Sequence, residues 1–202
     1  MPGGKKSDRM SPVEKYNVAY RDEKYAGPGA SFGLQLVPWV VENIKFHDVL
    51  DVGCGSGFSV LRFLELGKRA TGTESCRFLL DGRLQSMREL GMVKEATLPI
   101  LPYPESSVDL VFCTEVLEHI PESDVHGSIG ELLRVSKGKV FASVCFEEAH
   151  CFPELGLHET VRPKAWWEGE FLRWKAKFED VTEEVTNGQG RETGAFYILR
   201  KG

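Results

Sequence analysis

The segment Asp48-Val-Leu-Asp-Val-Gly-Cys-Gly-Ser-Gly57 constrains this chain more than any other. Its first five residues are an apolar-rich run of strand length, and helical spacing resumes over residues 58–66 directly after the third glycine. A strand that breaks into alternate glycines and then into a helix brings several backbone N–H groups to one point. A ligand can approach them closely because glycine carries no Cβ. Such a turn holds a nucleotide-like ligand, or it is only a tight strand-to-helix connection. The dinucleotide fingerprint is GxGxxG. Here the spacing is GxGxG, and Phe58 stands where the third dinucleotide glycine would be, which counts against a nicotinamide cofactor.

From position 48 the chain alternates strand-like and helical patterns, the signature of βαβ units. Strands are predicted at 48–52, 68–74, 93–98, 108–113 and 138–145, with helices at 58–66, 76–90 and 116–135. The prediction is a three-layer, Rossmann-like α/β fold with a mostly parallel sheet. An earlier helix is marked by Leu34, Val37, Val40, Val41 and Ile44, with Pro38 predicting a kink or a late start. Residues 147–162 have no clear period and contain His150 and His158, which suits a functional loop or cap. A helix begins near Pro163. Strands at 178–185 and 195–199, around a turn through Asn187-Gly-Gln-Gly190, supply an antiparallel C-terminal strand. At the amino end a polar tail runs to about residue 12. An aromatic stretch from Tyr16 to Tyr25 and the turn Ala26-Gly-Pro-Gly-Ala30 follow. The expected organisation is a flexible tail and cofactor flap over 1–30, then a single domain over 31–202 with a cap around 147–175.

The 202 residues, 42% hydrophobic and 27% charged, suit a packed soluble domain. A net charge of −5 disfavours a nucleic-acid partner, since phosphate backbones are gathered by positive fields. Lys5, Lys6 and Arg9 read as a solvated tail. The five cysteines are scattered and never in CxxC spacing, so they read as reduced thiols and no metal centre is expected. No signal peptide or membrane-length apolar run is visible, and a cytoplasmic address is expected. Oligomeric state is not legible.

Four segments, in order, carry a resemblance. Val49-Leu-Asp-Val-Gly-Cys-Gly-Ser-Gly57 resembles the first motif of class I S-adenosylmethionine-dependent methyltransferases. Glu74 ends strand two where that family carries an acid. Leu101-Pro-Tyr-Pro-Glu-Ser-Ser-Val-Asp-Leu-Val111 is similar to its LPFPDxSFDLV segment, and Val116-Leu-Glu-His-Ile120 to its VLEHI segment. The resemblance covers about residues 45–145 and implies S-adenosylmethionine as cofactor. It implies that Asp51 and the backbone of Gly53, Cys54, Gly55 and Gly57 hold the methionine portion. Glu74, with Ser75 beside it, would take the ribose hydroxyls. Many relatives carry an acid for the adenine amine where this chain has Thr97, a neutral and weaker acceptor, with Leu98 able to pack on the ring. Thr114 and Glu115 follow strand four and should face the cofactor or the acceptor.

Methyl transfer from a sulfonium is an in-line displacement, so most of the protein's work is positioning. A general base is useful when the acceptor must lose a proton. His158, in the cap just before Trp166-Trp167, is the better candidate base. Glu115 is either a site carboxylate or a helix-start acid. His119 reads as a structural residue, and His150 has less support. No Asn-Pro-Pro-Tyr-like segment follows strand four, which argues against adenine-base or glutamine-amide acceptors. Trp166, Trp167, Phe171 and Trp174 pack the core or wall an acceptor pocket. Tyr16, Tyr20 and Tyr25 belong to a flap or to a surface helix. The leading expectation is methylation of a small-molecule acceptor, at a hydroxyl of a metabolite or sugar. A protein or peptide acceptor, a noncatalytic cofactor-binding partner of another methyltransferase, and a nicotinamide oxidoreductase are the other readings.

Overall fold

A computed structural model describes residues 10–22, 27, 32–188 and 191–202. Lys5, Lys6, Arg9, Tyr25, most of the 26–30 turn and part of the 187–190 turn lie outside these residues. The strands are β1 (Asp48–Val52), β2 (Arg69–Glu74), β3 (Val93–Glu95), β4 (Val108–Thr114), β5 (Ser136–Cys145), β6 (Lys177–Asp180) and β7 (Gly194–Arg200). They form one sheet in the order β3-β2-β1-β4-β5-β7-β6. β1 to β5 pair in parallel, and β7 runs antiparallel to both β5 and β6. The order reverses between β1 and β4, which opens a crevice beyond their carboxyl ends, the usual ligand position in such sheets.

Alternate residues of the central strands feed two cores, as the period of two demands. Leu50, Val52, Val111, Cys113, Val140, Ala142, Val144, Tyr197 and Leu199 face one side. There α6 (Glu122–Val135) and α7 (Lys164–Arg173) cover them. Val49, Leu110, Phe112, Phe141, Phe196 and Ile198 face the other. They meet α2 (Phe32–Asn43) and α3 (Phe58–Glu65), with the short α4 (Arg77–Leu80), α5 (Gln85–Glu89) and α8 (Thr182–Val185). This is the predicted three-layer, Rossmann-like architecture. Trp167 and Phe171 are fully buried in the first core, and Trp174 stacks on His126 at 4.8 Å, so the tryptophan cluster packs α6 against α7. Pro38 sits on the exposed side of α2, where the helix continues through it.

Strand bounds shift by one or two residues at β2, β5 and β7, and local structure departs further from expectation elsewhere. The helix predicted over 76–90 is two short ones, because the i−4 hydrogen-bond pattern is lost between them: Gly82 and Leu84 both donate to the Leu79 carbonyl, at 3.2 and 2.9 Å, and Gln85 to that of Gly82 at 3.1 Å. The helix predicted from 116 is a 3-10 turn, Leu117–His119, and α6 starts only after Pro121. Proline holds the preceding Ile120 extended, at ψ 137°. β3 stops at Glu95. β6 ends at Asp180, whose carboxylate accepts the Thr182 N–H at 2.9 Å and turns the chain into α8.

The amino-terminal segment carries a capped helix. Ser11 and Glu14 form a capping box, Pro12 occupies the first turn, and α1 (Pro12–Ala19) follows. α1 docks by two routes. Asn17 Oδ1 accepts the Phe78 N–H at 2.9 Å, and Lys15 donates to Glu159 and to the Gly156 carbonyl. Ala19 packs with Leu155 and Leu157, so α1 and the segment 147–160 close on each other over the crevice. No helix among the described residues is long and apolar enough to cross a membrane.

Candidate active site

The glycine loop is held from behind by the sheet. Gly53 and Cys54 both donate to the Thr73 carbonyl at 2.9 Å, and Gly57 donates to Cys54 at 2.9 Å. Gly53 has φ +73° and Gly57 φ +79°, conformations that favour glycine. A Cβ on Gly53 would also lie 2.5 Å from Val116 Cγ2, and one on Gly57 2.8 Å from Leu84 Cδ2. Two of the three glycines are therefore required by packing behind the loop as well as by backbone conformation. The loop borders a cavity of about 500 Å³, within the usual range for small-ligand sites.

Two carboxylates face this cavity at its donor end. Glu74 Oε2 accepts the Gly55 N–H, and Oε1 accepts those of Ser75 and Cys76, all at 2.8 Å. Asp51, 2% exposed, accepts from the Ser59 hydroxyl. Burial pushes the Asp51 carboxyl up to about 7, with Glu74 adding to the rise against the Ser59 hydrogen bond. Burial likewise raises Glu74, against its three backbone hydrogen bonds. Among the described residues no salt bridge reaches either acid, so this end of the cavity suits a ligand that brings positive charge and hydroxyl donors. Ala96, Thr97, Leu98 and Leu101 form the neighbouring wall, with the Thr97 hydroxyl donating to the Leu98 carbonyl at 3.3 Å.

The other end is built by β4, the cap and the carboxyl-terminal segment. Thr114 lines the cavity beside Gly33, and Glu115 follows at φ +55°. Arg191 grips both Glu115 oxygens, at 2.9 and 3.0 Å, and stacks on Phe32 and Phe196. Ser143 donates to Glu115 Oε1 at 2.8 Å. Glu115 is thus neither a solvated acid nor part of a helix start. His119 lies in the same wall, its Nδ1 2.9 Å from the Leu157 carbonyl and 2.5 Å from the Tyr16 hydroxyl. Burial, with His158 adding, holds it down to about 4. His158 packs edge-on against it with ring centroids 4.6 Å apart, and its Nδ1 is bonded to the Glu147 carbonyl. His150 is exposed at the rim.

The residues singled out by sequence for cofactor binding and for catalysis line this one cavity except Gly57, which packs behind the loop. Sequence reasoning missed Ser59, Arg191, Tyr16 as a partner of His119, and the buried Glu118. Ser59, the second residue of α3, directly follows the glycine motif, and Glu118 lies inside the Val116-Leu-Glu-His-Ile120 segment, so both stood where a named motif could have pointed to them. The tryptophans do not reach the cavity.

Residues 50–142 match a family model described as a methyltransferase domain. The chain is 29% identical over 131 residues to the uncharacterized methyltransferase YcgJ of Bacillus subtilis, covering 63% of this chain and 50% of that protein. It is 30% identical over 121 residues to a ubiquinone biosynthesis O-methyltransferase of Nitrosococcus oceani, covering 56% and 51%. The chain thus spans about half the length of the curated relatives it matches. In fold it is similar to magnesium protoporphyrin IX methyltransferase of Synechocystis, solved with bound SAH, at a TM-score of 0.60 and 16% identity over 93% of each chain.

Proposed function

We propose that this chain, which carries a class I S-adenosylmethionine-dependent methyltransferase domain, methylates a hydroxyl of a small-molecule acceptor such as a metabolite or sugar. One observation carries the reading: the acid-lined glycine cradle and the His119–His158 pair open into the same cavity. When bound, the cofactor supplies an electrophilic methyl on a cationic sulfur. Its charge suits a donor end where no cation among the described residues pairs with Asp51 or Glu74. Asp51 would hold the methionine ammonium and Glu74 a ribose hydroxyl, with Thr97 and Leu98 beside the adenine.

The remaining residues orient the acceptor. α1 and the segment 147–160 cap the cavity, with Tyr16 and Tyr20 on its wall. Glu115, with both oxygens engaged by Arg191, is a positioning residue that fixes the strand-four end of the site. His158 acts on the acceptor hydroxyl. With Nδ1 committed to Glu147, it turns its second nitrogen to the reaction. A cavity of about 500 Å³ fits a metabolite beside the cofactor.

A metabolite screen scored by formation of the demethylated cofactor tests the reading. Hydroxylated acceptors should give product, and His158→Ala should cut turnover about 100-fold with cofactor affinity unchanged. Turnover confined to amines or peptides would overturn it. Cofactor affinity should also follow pH through Asp51. Its folded value near 7 lies above the ordinary one, and a cationic ammonium binds the ionised form. Affinity is therefore full above pH 7 and falls as pH drops through it. Calorimetry should show binding about tenfold weaker at pH 6 than at pH 7.5. Asp51→Asn should remove that part of the dependence.

A further inference from the structure

Glu118 is fully buried, and it is not explained by packing. Its Oε1 accepts the Cys145 N–H at 3.0 Å, while Oε2 has no partner among the described residues. A buried carboxylate oxygen left without a hydrogen bond calls for a ligand or an ion. Two imidazoles stand against it. Glu118, His119 and His158 each offer a ligand atom, and these atoms all lie within 4.8 Å of one another.

The two rings are prepared in the same way. His119 Nδ1 meets the Leu157 carbonyl and His158 Nδ1 meets the Glu147 carbonyl. In the tautomer in which Nδ1–H donates to that carbonyl, Nε2 keeps its lone pair for a metal, and at His119 the Tyr16 hydroxyl then accepts from Nδ1 rather than donating to it. Metal-binding histidines are oriented by this same outer hydrogen bond. Tyr16, also at His119 Nδ1, ties α1 to the arrangement.

We propose that Glu118, His119 and His158 bind a divalent transition-metal ion at the acceptor end of the cavity. Two nitrogens and one carboxylate oxygen suit Mn²⁺, Co²⁺, Fe²⁺ or Zn²⁺ better than Mg²⁺ or Ca²⁺, which prefer oxygen ligands. Donors around one such ion sit about 3 to 3.5 Å apart. The three atoms lie within 4.8 Å of one another, so binding requires them to draw together by about an ångström or more. The sequence held no such signal, because the third ligand lies far from Glu118 and His119 along the chain.

This assignment rests on the methyltransferase reading and states how His158 acts in it. His119 and His158 line the cavity, so the ion's open positions face the acceptor. Three protein ligands leave room for two acceptor oxygens, which selects a substrate with adjacent oxygens, one of them the hydroxyl to be methylated. Coordination lowers that hydroxyl's pKa, and its proton leaves to water. The oxygen lone pair then forms the O–CH₃ bond while the C–S bond breaks and its electrons return to sulfur.

The test is a titration of the chelator-treated full chain with Co²⁺, read by visible absorption and by calorimetry, beside a titration of the same sample with S-adenosylmethionine. One Co²⁺ per chain is expected. Glu118→Gln and His158→Ala should each weaken it at least about tenfold. His126→Ala, on the far side of α6, should leave it unchanged. Because Glu118 is wholly buried, His158→Ala decides the matter if Glu118→Gln fails to fold. Cofactor binding with no Co²⁺ binding, or Co²⁺ binding indifferent to His158, would overturn the ion and leave the methyltransferase reading standing. Loss of cofactor binding alone would overturn that reading instead.

Discussion

Replacing Glu74 with glutamine is expected to weaken S-adenosylmethionine binding about 100-fold, by removing roughly 3 kcal/mol of charge-assisted hydrogen bonding to the ribose. The carboxylate sits where β2 ends, and its two oxygens already accept three backbone N–H groups, from Gly55, Ser75 and Cys76. These bonds fix the acid relative to the glycine loop and use three of its roughly four lone-pair sites, leaving one, on Oε2, for a hydroxyl donor. An amide reproduces the shape but offers only one acceptor oxygen. If that oxygen keeps Ser75 and Cys76, the amide NH₂ faces the Gly55 N–H, donor against donor, and the loop is pushed from its position. Calorimetric titration of the variant checks this. An affinity equal to that of the parent would remove Glu74 from the cofactor site.

The second large effect is on stability. Phe141→Ala is expected to destabilise the chain by about 3 to 5 kcal/mol, the range for deleting a buried phenylalanine. Phe141 is fully buried at the centre of β5. It stacks on Phe112 at 5.6 Å and 7°, meets Phe196 at 6.3 Å and Trp39 at 5.8 Å. Phe112 in turn meets Phe63 edge-on at 5.3 Å. This row of rings joins β4, β5 and β7 and seats α2 and α3 on the sheet, so the void left by alanine cannot be filled by one neighbour. Denaturant unfolding should show a lower midpoint with an unchanged slope. A loss below about 1 kcal/mol would show that the core relaxes around the site.

The central strands were legible because they are buried on both faces. β1 and β4 read as nearly continuous apolar runs, and their starts at Asp48 and Val108 are where the pattern places them. The donor half of the site was legible for the same reason: Asp51, the glycines and Glu74 sit at strand ends whose position follows from the strands. The acceptor half was not. The break at Pro121 and the turn at Asp180 depend on single residues inside otherwise regular patterns. Arg191 reaches Glu115 from the far end of the chain, through the β5–β7 pairing. Glu118 carries no sign in sequence of being buried, since a glutamate at that spacing is ordinarily a solvated residue. Tyr16 joins His119 only because α1 docks across the crevice, a contact set by Lys15, Asn17 and Ala19 rather than by any motif.

The crevice beyond β1, β2 and β4 is the proposed site of S-adenosylmethionine. Titration of the purified chain with S-adenosylmethionine, with its demethylated product and with a nicotinamide dinucleotide tests it most directly. Binding of the first two at one site per chain, each raising the melting temperature, with no binding of the dinucleotide, is the predicted result. Neither heat of binding nor a thermal shift with S-adenosylmethionine or its product would contradict it.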